Sequence, residues 1–131
     1  MQQTLRESDR ARDEEARRDR ERLQGDWRSV SDRREAELTI TGDAFVMAFR
    51  SGESYEGIFH LDPTCRPREI DLRITDGPAE HRGLGALAIY QIDGDHLIWA
   101  TGRPGTGERP GSFPHEGDPG QLCLIFRRAG A

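Results

Sequence analysis

The sequence predicts a mainly β protein: a single eight-stranded antiparallel barrel preceded by one charged α-helix. Three observations carry that reading. The apolar pattern switches from a helical to a two-residue period near Asp26. Eight short runs rich in branched and aromatic residues follow, most of them separated by turn signals. No helical pattern interrupts them, and closing such a meander on itself removes its exposed edges. With 131 residues, 34% hydrophobic and 33% charged, the chain suits one domain with a modest core.

The helix comes first, over residues 4–24. "TLRE" offers a capping box in which Thr4 accepts from a backbone N–H while Glu7 reaches back. Acid-before-base pairs follow at helical spacing: Asp13 with Arg17, Glu14 with Arg18 and Asp19 with Arg22. The apolar positions Leu5, Ala11, Ala16 and Leu23 make no continuous stripe. Residues 1–24 therefore read as a solvated extension. The functional alternatives are an arm that docks a protein partner or a second copy through residues 4–24, or a lid. Gly25 suits a helix C-terminal cap, and the first strand begins behind it. The expected barrel spans residues 25–128, with 129–131 as a tail.

Strands are predicted over residues 27–32, 36–41, 45–50, 54–61, 68–75, 86–92, 96–101 and 121–127. In five of them one face collects the apolar residues: Phe45, Met47 and Phe49; Tyr55, Phe59 and Leu61; Ile70, Leu72 and Ile74; Leu97 and Trp99; Leu122, Leu124 and Phe126. "TGD", "RSGE" and "IDGD" read as hairpin turns, the last with Asp93-Gly94 suiting type I′. Residues 102–120, "GRPGTGERPGSFPHEGDPG", carry six Gly and four Pro, which excludes a regular element. A loop of that length in a compact domain points to function. It reads as a flap near a barrel mouth, pinned by Phe113.

Composition excludes several classes. The net charge of −5 argues against a phosphate-binding surface and so against nucleic acid. No apolar stretch approaches the ~20 residues of a membrane span. "MQQTLRESDR" carries no basic-then-apolar leader, so a cytoplasmic location is expected. Every basic side chain other than His is Arg, a chain-wide bias that fits GC-rich coding better than local recognition. Cys65 and Cys123 form no CxxC and read as free thiols. His60, His81, His96 and His115 show no ligand spacing, so no metal and no cofactor are expected.

"LQGDW" at 23–27 carries a Gly-x-Trp, and "REIDLRITDGP", "AIYQIDGDHLIWA", "ERPGSF" and "QLCLIFRR" follow in that order. Over roughly residues 22–128 this resembles the lipocalin-like domain family found widely in Planctomycetes. The chain departs from the family in its short "SDRREAE" segment, in Ala88 where a glycine is usual, and in Trp99-Ala100 where a Cys is often near. The resemblance implies a lipocalin-like (calycin) barrel, but no shared reaction. In such barrels Trp27 would close one end, with a basic residue of the last strand, Arg127 or Arg128, packed over it through a cation–π contact.

No Ser-His-Asp or Cys-His arrangement and no phosphate-cradling loop stands out. The expected function is a binding module for a small, mostly apolar molecule. The candidate ligand contacts are Tyr55, Trp99 and Phe113, with Tyr90, His60 and Arg109 as polar contributors; Gly25, Trp27 and Arg127 are structural. The alternatives are a non-enzymatic assembly protein using the helix, or an enzyme of secondary metabolism that shapes its substrate. The open end, opposite Trp27 and near the long loop, is where a pocket is expected.

Overall fold

A computed structural model describes residues 2–30, 35–113 and 122–129, with side chains from Arg10 onward. It contains α1 (Gln2–Leu23) and strands β1 (Gly25–Ser29), β2 (Ala36–Thr41), β3 (Ala44–Phe49), β4 (Ser54–Asp62), β5 (Arg68–Asp76), β6 (Gly85–Asp93), β7 (His96–Thr101) and β8 (Leu122–Arg128). The strands form a closed barrel in sequence order, each antiparallel to the next, and β8 returns to pair with β1. The protein is thus mainly β, a closed eight-stranded antiparallel barrel of lipocalin-like form with one N-terminal helix.

The two-residue period sets the core. Phe45, Met47, Phe49, Phe59, Leu61, Ile70, Leu72, Leu97, Trp99, Leu124 and Phe126 are all buried in one cluster. β1 starts at Gly25, two residues before the predicted strand, because Gly25 already pairs with Ile40 of β2. The β4–β5 register shifts at Glu56/Gly57, where a Cβ on Gly57 would stand 2.0 Å from the Arg73 carbonyl oxygen and 2.7 Å from the Phe45 ring. Glycine there lets β5 and the Phe45 ring approach closely.

One hairpin corrects the predicted turn chemistry. Asp93 pairs with His96, which leaves Gly94 and Asp95 as the central residues. Gly94 has φ +58, and among the described residues no non-glycine residue has positive φ. Positive φ at the first central residue alone follows the type II′ pattern, not type I′. The β2–β3 turn repeats it, with Gly42 at φ +63.

Strand direction separates two ends. The β2–β3, β4–β5 and β6–β7 turns, the start of β1 and the end of β8 share one end, and α1 lies across it. Helix α1 begins at Gln2, ahead of the expected Thr4 cap, and the side chains of that capping box lie outside the described ones. Asp13 with Arg17 and Glu14 with Arg18 form no ion pair among the described residues. Asp19 does meet Arg22, at 3.8 Å. The C-terminal half of α1 is more than a solvated extension. Leu23 is fully buried, Asp19 is 3% exposed, and Ala16 packs against the core. These three fall at i, i+3 and i+7, one helical face.

The long connection after β7 also differs from expectation. Its first part stays close to the barrel: Gly102 N–H donates to Leu87 O and Gly105 N–H to Gly85 O. Arg109 then clamps it to the outer wall of β5 and β6, donating to Ala88 O at 2.8 Å and pairing with Asp71 and Glu69. The described part is therefore a strap along the wall, with residues 103 and 104 at the mouth, and not a free flap. Phe113 is half-buried, and residues 114–121 with His115 lie outside the described ones.

Candidate functional site: a cavity at the open end of the barrel

The closed end explains why any site lies opposite. Trp27, 1% exposed, donates its indole N–H to Leu23 O at 2.8 Å. Arg128 stands opposite Trp27 in the β1–β8 register, so both point inward, and its guanidinium lies 4.2 Å from the Trp27 ring centroid. The same guanidinium donates to the Gln24 carbonyl at 2.8 Å and to that of Arg22. It thus satisfies helix-end acceptors and places a cation at the negative end of α1. Arg127 points outward beside Arg28 and His96 and is exposed. The residue over Trp27 is therefore Arg128, because alternation sends its neighbour to the other face. Gly25, φ +112, ends the helix, and a Cβ there would stand 3.4 Å from Arg128 Nη1.

Beside Trp27 a polar triad is sealed in. The Asp19 carboxylate accepts from the Tyr90 hydroxyl at 2.6 Å and from Arg68 at 2.8 Å. Burial, then the hydrogen bond and charge of Asp19, push the Tyr90 phenol well above its ordinary range. Tyr90 belongs to the plug and is committed to Asp19, away from the cavity.

At the other end the barrel holds a cavity of about 380 Å³. Its wall is apolar, formed by Phe45, Met47, Phe49, Leu72, Ile74 and Trp99 among others. Its polar groups come from the strand ends and loops of the mouth: Glu53, Tyr55, His81, Thr101 and Arg103. That size and distribution fit a pocket for a small molecule with an apolar body.

Tyr55 and His81 form the most ordered polar feature of the mouth. The Tyr55 oxygen is 2.9 Å from His81 Nδ1, and the rings stack with centroids 5.8 Å apart. Phe49 meets Tyr55 edge-on at 6.1 Å. His81 is held by the loop after β5: its N–H and that of Arg82 donate to Pro78 O, and Gly83 N–H returns to Ile74 O. A Cβ on Gly77 would stand 3.2 Å from the Tyr55 ring, so the loop closes tightly over it.

Trp99 is fully buried, and its indole nitrogen has no hydrogen-bond partner among the described residues. A buried unpaired N–H costs about 1–3 kcal/mol.

Of the six candidate ligand contacts, the cavity brings together Tyr55 and Trp99. Tyr90 lies in the plug. His60 is exposed on the outer face of β4, opposite Asp71. Arg109 straps the outer wall, and Phe113 is not part of the cavity lining. His81 and Arg103 are contacts the strand pattern did not reveal, since both sit in glycine-rich loops whose path no periodicity encodes. Among the described residues no three His, Cys, Asp or Glu side chains cluster to hold a metal. No helix of the described chain is long and apolar enough to cross a membrane. Cys65 is a free cysteine; desolvation, aided by the Asp62 and Glu69 carboxylates, raises its thiol above the ordinary value.

Compared with known proteins, the chain matches no family model, no curated protein and no solved structure.

Proposed function

We propose that the protein is a binding module for a small, mostly apolar molecule held in the open end of the barrel. The observation that carries this reading is the cavity of about 380 Å³ with an apolar wall and polar groups at its mouth. Affinity comes from apolar burial, at roughly 25 cal/mol per Å² removed from water. Orientation comes from the Tyr55–His81 pair at the mouth. The chain is proposed to belong with the lipocalin-like domains of Planctomycetes; the support is that the resembling segments follow in order along β1, β5, β6–β7 and β8.

The test is titration with the neutral fluorophore N-phenyl-1-naphthylamine. One-to-one saturable enhancement is expected, abolished by Ala86→Phe, which fills the cavity from its wall. No saturable binding by the folded protein, or binding that the filled variant keeps, would reject the reading. One observation favours an enzyme instead: a Tyr–His pair in hydrogen-bond contact at the mouth. Recovery of a bound compound in chemically altered form would support that second reading.

A further inference from the structure

We propose that the ligand is an amphipathic monocarboxylate, with its chain inside the barrel and its carboxylate held at the mouth by Arg103. This rests on the binding reading above and names the ligand class. Arg103 lines the mouth, where the β7 end gives way to the strap. Its backbone is fixed: the Thr106 N–H and hydroxyl both donate to its carbonyl, at 3.3 and 2.8 Å. Its guanidinium has no hydrogen bond or ion pair among the described residues. Arg109, six residues on, is saturated by Asp71, Glu69 and two strand carbonyls. The strap thus spends one arginine on its own anchorage and leaves the other at the cavity rim. A guanidinium fork matches a carboxylate in shape and charge, and the charge-assisted pair is about twice as strong as a neutral hydrogen bond.

The other mouth groups narrow the class. The hydrogen bond to Tyr55 occupies His81 Nδ1, and the tautomer with its hydrogen on Nε2 would present a second donor. Glu53 sits on the same rim and is engaged within the protein. Its charge is tolerable beside one ligand negative charge and opposes a dianion. Below the rim the wall offers no cation among the described residues, so the anionic end stays at the mouth and the apolar end goes inward.

Calorimetric titration with dodecanoate, dodecan-1-ol and dodecyl phosphate tests this on the full chain and on Arg103→Gln. The native protein should bind dodecanoate about tenfold more tightly than the alcohol, a difference of about 1.4 kcal/mol. Arg103→Gln should remove that preference while leaving alcohol binding within about twofold. Equal binding of acid and alcohol by the native protein, both displacing the neutral fluorophore, would overturn the carboxylate assignment and leave the pocket reading intact. A preference for the phosphate would also overturn it. Binding of no dodecyl compound and no fluorophore would overturn both.

Discussion

Asp19→Ala tests whether the helix is part of the barrel's base. The native carboxylate is 3% exposed and serves Tyr90, itself 1% exposed, and Arg68. Truncation leaves the Tyr90 hydroxyl buried without its acceptor, at about 1.5–3 kcal/mol for a charge-assisted bond. Arg68 keeps a third of its side chain in solvent and rehydrates, so its share is nearer the ~1 kcal/mol or less of a surface pair. The expected loss is about 2–4 kcal/mol, somewhat below the ~3–5 kcal/mol of a fully buried broken pair. Urea unfolding followed by far-ultraviolet circular dichroism reads it as a fall in midpoint. Adding Tyr90→Phe removes the orphaned hydroxyl, so the double variant should be more stable than the two single losses sum to, by about 1 kcal/mol. A loss under about 0.5 kcal/mol for Asp19→Ala would refute the base.

Two further outcomes follow from the same end of the molecule. Burial and Asp19 raise the folded-state pKa of Tyr90, so its stabilising share is constant below pH ~10, the ordinary phenol value. Above it the unfolded chain ionises first, and stability should fall by up to about 1.4 kcal/mol per pH unit; Tyr90→Phe should flatten that fall between pH 10 and 11. Arg128→Ala should cost about 1–3 kcal/mol in chemical unfolding, from the Trp27 contact and two helix-end hydrogen bonds. Arg127→Ala should stay within about 0.5 kcal/mol, as an exposed side chain on the outer face; the reverse order would contradict the register.

The barrel was legible because its strands follow a strict two-residue period. Ile70-Leu72-Ile74 can face only one way once Glu69, Asp71 and Arg73 hold the opposite face. The helix was harder. Ala16, Asp19 and Leu23 share one face, but a carboxylate in the middle of that face reads as solvent until Tyr90 and Arg68, 71 and 49 residues away in sequence, close on it. Arg127 and Arg128 differ by one residue, and only the pairing with Trp27 decides which points inward. Ile89 and Ala100 pair on the outward face of β6 and β7 yet are 1% and 0% exposed. Their cover, like the position of His81 and Arg103, depends on loops without period. The open end was predictable as a place, from Trp27 and the long connection; of its polar contacts only Tyr55 was.

The most direct test of the binding account uses the two tryptophans, one in the plug and one in the cavity wall. Each gives one indole N–H signal in a nitrogen-15 correlation spectrum, assigned by Trp99→Phe. At saturating N-phenyl-1-naphthylamine the Trp99 signal should shift as the aromatic probe fills the cavity that Trp99 lines. The Trp27 signal, fixed on Leu23 O beneath Arg128, should stay in place. A shift confined to Trp27, or no shift of Trp99 at saturation, would contradict the account.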